Sequence, residues 1–357
     1  MSDFECANLP SSVNSRCGIL AAGHFIVDHV NVLDHWPQQD ALATIRAEKR
    51  GNGGGAFNCL TDLSRLRAPF PLFAAGFVGD DDNGRWIRAE CRASGIDVTS
   101  LHTSSSLPTS HTLVMSAHDT GRRTFFYQPG ANAQFGPTHV LLEANPARIL
   151  HFAYLGLLPT FDMSEGKDNA YARLFAVARA RGLRISADLV SDSQTDFPQL
   201  LGPALAEIDW LFGNEYEITR AASLAAPAND PIARVRISLE AGRRLIESGV
   251  RQAVITHFPE GAVAVTREGF HMEPAINVPA EQILGTAGAG DAFAAGVLLG
   301  LHEDWHLPRA LELGVNVAAA CLIDETCSAS IRPWSECLEF GRALGRHSHF
   351  EALSVRR

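Results

Sequence analysis

Short apolar runs of β type alternate with longer segments of helical period along most of this chain, and no other feature limits the fold as much. A strand, a helix and a second strand close a parallel pair, so repetition builds an α/β architecture: a central mostly parallel sheet flanked by helices. The strand candidates are 18–28 (GILAAGHFIVD), 70–79 (FPLFAAGFVG), 149–156 (ILHFAYLG), 184–190 (RISADLV), 209–214 (DWLFGN) and 252–258 (QAVITHF). Helical segments at 83–95, 169–182 and 232–249 each end on a glycine, a common helix stop. Two segments break the rhythm, 41–50 (ALATIRAEKR) and 111–129 (HTLVMSAHDTGRRTFFYQP). The second alternates on both sides of the turn HDTG with no helix after it, which predicts a hairpin. Such strands would form a small lid over the carboxyl ends of the main sheet, where open α/β folds bind ligands.

At 357 residues the chain calls for one large domain with an elaboration, or for two. We expect a frayed leader over 1–17 and a single domain over 18–357, with lid strands inserted at about 41–52 and 108–130. The segment MSDFECANLPSSVNSRC lacks the basic and apolar regions of a signal peptide. The most apolar stretches, ILHFAYLGLLP and AFAAGVLLGL, are shorter than the ~20 residues that span a bilayer, so no membrane partner is expected. A net charge of −10 without any Lys/Arg run opposes a nucleic-acid partner. Seven cysteines, at 6, 17, 59, 91, 321, 327 and 337, form no C-x-x-C pair and no metal-type spacing. They read as reduced thiols of a cytoplasmic protein without zinc.

The stretch GTAGAGDAFAAG, 285–296, holds one ionisable side chain, Asp291. It turns from glycine-rich to helical near Gly290, which puts Gly288, Ala289 and Gly290 at a helix N-terminus. Free backbone N–H groups and the positive end of the helix dipole favour an anion there, and phosphate is the natural one. Asp291 would then take the proton of a hydroxyl attacking a phosphoryl group. Taken alone, the stretch reads equally well as an acidic first turn with glycines that allow close packing. No Walker-type G-x-x-x-x-G-K-[ST] is present, which disfavours a P-loop NTPase. A second cluster, GNGGGAFNCL at 51–60, places four glycines within five positions ahead of Asn58 and a helix-like run. Upstream, Asp28 ends the first strand candidate, a place suited to binding vicinal hydroxyls.

On these motifs the chain resembles the ribokinase-like carbohydrate kinases, the PfkB family, from about residue 18 to 340. The residues that carry the resemblance are GGGAFN (53–58), FVGDDDNGRWIRAECRASGID for a G-x-D-x-x-G segment, GNEYE for N-x-x-E, VITHFPEGAVAV for a T-L-G-x-x-G hairpin, and GTAGAGD (285–291). The resemblance implies a three-layer fold with a small β-strand lid and ATP-dependent phosphoryl transfer to a hydroxyl of a small sugar or sugar acid. It implies Asp291 as base, the amides of Ala289, Gly290 and Asp291 behind Gly288 as the anion hole, and Asp28, Gly54, Gly55 and Asn58 around the sugar. Asn214 and Glu217 would sit near the phosphates and organise Mg²⁺ mostly through water. Thr256, Gly261 and Asn316 would meet the nucleotide. The plain structural alternatives are a strand end and helix cap for Asn214 and Glu217, and an ordinary helix residue for Asn316.

Three positions depart from the family pattern. Gly285 stands where relatives usually carry Asp, Phe258 replaces a glycine that packs beside the nucleotide, and Tyr154 occupies the place of an acidic residue directed at the sugar. With Cys327 in the nearby DETCSAS stretch, the loss at 285 predicts activity independent of K⁺. The alternatives for function are a nucleoside kinase, with Phe25, Phe57, Phe126 and Tyr127 as an apolar slot, and a catalytically weak binding protein on the same fold. Exposed lid edges predict a homodimer through the lid.

Overall fold

Every residue of the first strand, Ile19–Gly23, is buried, and its alternate side chains enter two different cores. Ile19 and Ala21 join the one built with the helices Gly55–Arg65, Ala289–His302 and Leu307–Cys321. Leu20 and Ala22 join the other, which includes the helix Ala170–Ala180. A strand apolar on both faces fits only between two helical layers. The computed structural model, which describes residues 16–119, 123–143, 145–165, 168–225 and 230–347, has that three-layer arrangement.

Among the described residues the main sheet has nine strands in the spatial order Phe270–Pro274, Gly261–Val265, Ala253–Phe258, Trp210–Asn214, Arg184–Asp188, Ile149–Ala153, Ile19–Gly23, Leu72–Gly79 and Ile96–Ser104. The pairings from Ala253–Phe258 to Ile96–Ser104 are all parallel. The two strands at the other edge are antiparallel. A second sheet of four strands, in the order Ile45–Gly53, Ile26–Leu33, His111–Ala117 and Arg123–Gln128, forms the lid.

The lid differs from the expected one in its central strand. The segment 18–28 is not one strand: the chain leaves the main sheet after Gly23 and enters the lid at Ile26. His24 marks the break, its N–H bonding the carbonyl of Ala153 in the main sheet, while the N–H of Val27 bonds Ser110. Asp28 therefore belongs to the lid and not to a main-sheet end. The flanking lid strands fall where the alternating segments predict, and the tip of the HDTG turn lies partly outside the described residues. So do residues 1–15 of the expected leader. Arg16 is tied down by its donors to the carbonyls of Asn145, Ala147 and Arg181, and the N–H of Cys17 bonds Pro146. Among the described residues no helix is long and apolar enough to cross a membrane.

Candidate active site

Two glycine-led helices meet under the lid. Gly54 (φ 83°) precedes the helix Gly55–Arg65 and Gly288 (φ 77°) precedes the helix Ala289–His302. These positive φ angles favour glycine and explain why both clusters are glycine-rich at their helix starts. Gly55 answers a steric demand instead, since a Cβ there would lie 2.7 Å from both Ala153 Cβ and Tyr154 Cε1. The tyrosine ring rests directly on the bare backbone.

That contact aims the phenol at Asp291. Tyr154 donates its hydroxyl to the Asp291 carboxylate, 2.8 Å from each oxygen, and Asn58 Nδ2 donates to Oδ2 at 2.8 Å. Asn58 Oδ1 accepts from Asn52 Nδ2 at 2.7 Å. Asn52 in turn reaches Ser328 Oγ at 2.9 Å, and Ser328 donates to the buried Asp62. Asp291 is 5% exposed. Burial pushes its pKa up, and the bonds from Asn58 and Tyr154 pull it part of the way back. Burial and the neighbouring Asp291 charge hold the Tyr154 phenol well above its usual pKa, so it stays a donor. Tyr154, in the place of an acidic residue directed at the sugar, spends its hydroxyl on the Asp291 carboxylate. Asn58 is likewise bound to Asp291.

Asp28 enters this site from the lid strand Ile26–Leu33, opposite Thr112 in register. Burial and the Asp291 charge raise its pKa to about 7, against the hydrogen bond from Thr112 and smaller effects of Cys327 and Arg123. A carboxyl poised there can both donate to and accept from sugar hydroxyls near neutrality.

Asn214 ends the strand Trp210–Asn214 and caps the helix Glu215–Ala221. Its Oδ1 accepts the Glu217 N–H at 2.9 Å while Glu217 Oε2 accepts the Asn214 N–H at 2.8 Å. This reciprocal box is the plain structural alternative, realised. Ser191 joins it, donating to Glu217 Oε1 at 2.7 Å and accepting from Asn214 Nδ2 at 2.8 Å. Glu217 is buried and its pKa is raised, with the Asp291 charge among the causes. Asp188, at the end of Arg184–Asp188, is buried as well, and burial with the Asp291 and Glu217 charges raises its pKa strongly. Three mutually repelling oxygen donors suit a hard divalent cation held with phosphate. Among the described residues no group of three side chains can hold a metal by itself. An ion here would therefore take further ligands from water and phosphate oxygens.

The nucleotide-side residues divide. Thr256, fully buried with Oγ1 unpartnered, pairs with Gly213, and His257 pairs with Asn214. The His257 imidazole packs on Gly290, where a Cβ would come within 3.0 Å of the ring. Burial lowers its pKa to about 4. Gly261 closes the hairpin opposite Phe258. Phe258 is buried with Val235 and Val263, so this replacement of the expected glycine fills an apolar cluster. Asn316 is 2% exposed in the middle of the helix Leu307–Cys321 and bonds the carbonyl of Glu312 one turn back. Its Oδ1 is pressed against Gly341 of the helix Trp334–Leu344, which is a packing position.

The proposed apolar slot does not assemble. Phe25 and Phe57 stack on each other inside the core. Phe126 pairs with Leu113 on the lid face away from Asp28, whereas Tyr127 pairs with Thr112 on the Asp28 face. Sequence reasoning missed Asp188, although a carboxylate at a strand end is the signal that singled out Asp28. It also missed Asn52, Ser191 and Ser328, which no local pattern marks.

Comparison with known proteins agrees with this fold. The sequence pattern of the pfkB family carbohydrate kinases matches residues 19–334. The ATP-dependent ribose-1-phosphate kinase of Halopiger xanaduensis is 30% identical over 294 residues, 82% of this chain and 88% of that protein. The nucleoside kinase of Methanothermobacter thermautotrophicus is 27% identical over 322 residues, 90% of this chain and 94% of that protein. Among solved structures, Arabidopsis thaliana ribokinase complexed with ribose and ATP superposes with a TM-score of 0.73 at 18% identity, covering 92% of this chain and 99% of that one.

Proposed function

The chain belongs to the pfkB family of carbohydrate kinases and is an ATP-dependent kinase, and on that premise we propose that it phosphorylates a hydroxyl of a small sugar or sugar acid with Asp291 as the base. The observation that carries this reading is the buried Asp291 carboxylate at a helix N-terminus, held by Asn58 and Tyr154. As the acceptor oxygen bonds to the γ-phosphorus and the bond to ADP breaks, its proton passes to Asp291. The amides of Ala289, Gly290 and Asp291 meet the charge of the transferring group. Asp28 and the backbone at Gly54 and Gly55 hold the sugar hydroxyls. Asn214, Thr256 and Gly261 flank the nucleotide, beside Asp188 and Glu217. Mg²⁺, when bound there through water, would neutralise phosphate charge.

Asp291→Asn removes the base and little else, so kcat should fall by about 10²–10⁴ while sugar and ATP affinities stay near wild type. Near-normal turnover would sink the assignment. A nucleoside acceptor is the second reading, favoured by Tyr127 on the Asp28 face of the lid. ADP release with a panel of sugars, sugar acids and nucleosides separates the two. The six described cysteines are free thiols, which supports a cytoplasmic setting. Leu113 and Phe126, 37% and 51% exposed on the outer lid face, support the homodimer, which sedimentation equilibrium would reveal.

A further inference from the structure

Arg123 is the lid residue that the chemistry above leaves unused. It opens the strand Arg123–Gln128 and pairs with Ser116. By strand alternation its side chain shares the face of Thr112 and Asp28. Asp28, Val114, Arg123, Ala287, Glu325 and Cys327 line one narrow cavity under the lid, and among the described residues Arg123 is the only basic one on its wall. Its Nη2 donates to two neutral carbonyls, Leu284 at 3.2 Å and Glu325 at 3.4 Å. Room for it comes from Gly285, where a Cβ would lie 2.3 Å from Nη2.

The charge of this guanidinium is met only in part, by the nearby Asp28 carboxylate. No ion pair joins Arg123 to a carboxylate among the described residues. The Glu325 carboxylate is engaged by Lys49 at 2.8 Å. Nε and Nη1 keep donors that the two carbonyls do not use. A neutral sugar would leave the rest of that charge unmatched, whereas a carboxylate or phosphate matches it in charge and in paired-oxygen geometry.

Resting on the sugar-kinase reading above, we propose that the acceptor carries an anionic group, a phosphate or a carboxylate, and that Arg123 binds this group while Asp28 holds the hydroxyls. Gly285 is then a specificity position, because any side chain there displaces the guanidinium.

The test measures kcat/KM of the full chain with ATP and Mg²⁺ for ribose, ribose 1-phosphate, ribose 5-phosphate and gluconate. Wild type should prefer one of the anionic acceptors to ribose by tenfold or more, and which one separates phosphate from carboxylate. In Arg123→Gln the ratio of that anionic acceptor to ribose should drop at least tenfold. Gly285→Ala should lower the same ratio, which keeps the test available if the arginine variant folds poorly. Ribose as the best wild-type acceptor overturns the proposal. So does an equal loss for ribose and the anionic acceptors in Arg123→Gln, which would make the arginine a brace for the loops. Calorimetric titration with ribose 1-phosphate and gluconate, without nucleotide, reads the contact apart from catalysis. Anion binding that weakens tenfold in Arg123→Gln supports the proposal even if no acceptor turns over, an outcome that sinks only the catalytic reading. Binding equal in the two proteins, or absent from wild type, overturns it.

Discussion

Asp291 works against its own burial. Taking a carboxylate out of water favours the protonated form, which cannot accept a proton, and the donors of Asn58 and Tyr154 oppose that drift. Tyr154→Phe removes one of them, a hydrogen bond to a charged group worth about 1.5–3 kcal/mol, or roughly one to two pH units. The Asp291 pKa should rise, so the acid limb of the kcat profile should move to higher pH by about that amount. A pH–rate profile with an unmoved acid limb would remove Tyr154 from this role. Asp28 gives a second readout, in stability. Its folded pKa of about 7 lies above the ordinary 3.8, so the folded protein holds a proton that the unfolded chain releases between those values. Its contribution to stability is therefore fullest below about pH 4 and is lost as pH rises to about 7. At about 1.4 kcal/mol per unit the upper bound is roughly 4 kcal/mol. Asp28→Asn should lack this slope, and denaturant melts of both proteins at pH 4 to 8 would detect it. Parallel curves would contradict the shift.

At the scale of elements, the helix Glu215–Ala221 combines two roles in one pair of residues. The Asn214–Glu217 box secures its first turn, and Glu217 lies close enough to Asp291 and Asp188 for their charges to affect one another. Glutamine also completes a capping box, so Glu217→Gln keeps the fold of the turn and removes only charge. Thermal melting should then change little, while the Mg²⁺ concentration for half-maximal turnover should rise several-fold, with partial rescue at high Mg²⁺. An unchanged Mg²⁺ dependence would leave Glu217 with capping alone. The cap itself was legible in N-x-x-E at the end of a strand. Its third member, Ser191, lies 23 positions from Asn214, in a loop without any distinguishing pattern.

Across the whole molecule, the lid and the main sheet are joined covalently at His24, and Arg123 donates from a lid strand to the loop carbonyls of Leu284 and Glu325. The guanidinium occupies those carbonyls, and Gly285 offers no carboxylate to a monovalent cation. Turnover should therefore respond to KCl by less than about tenfold, or ~1.4 kcal/mol in barrier, at matched ionic strength. A larger stimulation over a potassium-free and sodium-free buffer would show the prediction wrong.

By itself the sequence determined the parallel sheet, the lid hairpin, the two glycine-led helix starts and the lone carboxylate at one of them. Each of these is set by local physics: side-chain period, backbone freedom at glycine, and the free N–H groups of a first helical turn. Only the tertiary structure decided that Tyr154 binds Asp291 across 137 positions and that the strand through His24 divides between two sheets. It also decided that Phe258 and Asn316 pack in the interior. Such partners meet because packing brings distant strand ends and helix starts to one place, and a residue's own neighbours in the chain carry no trace of what it will meet there.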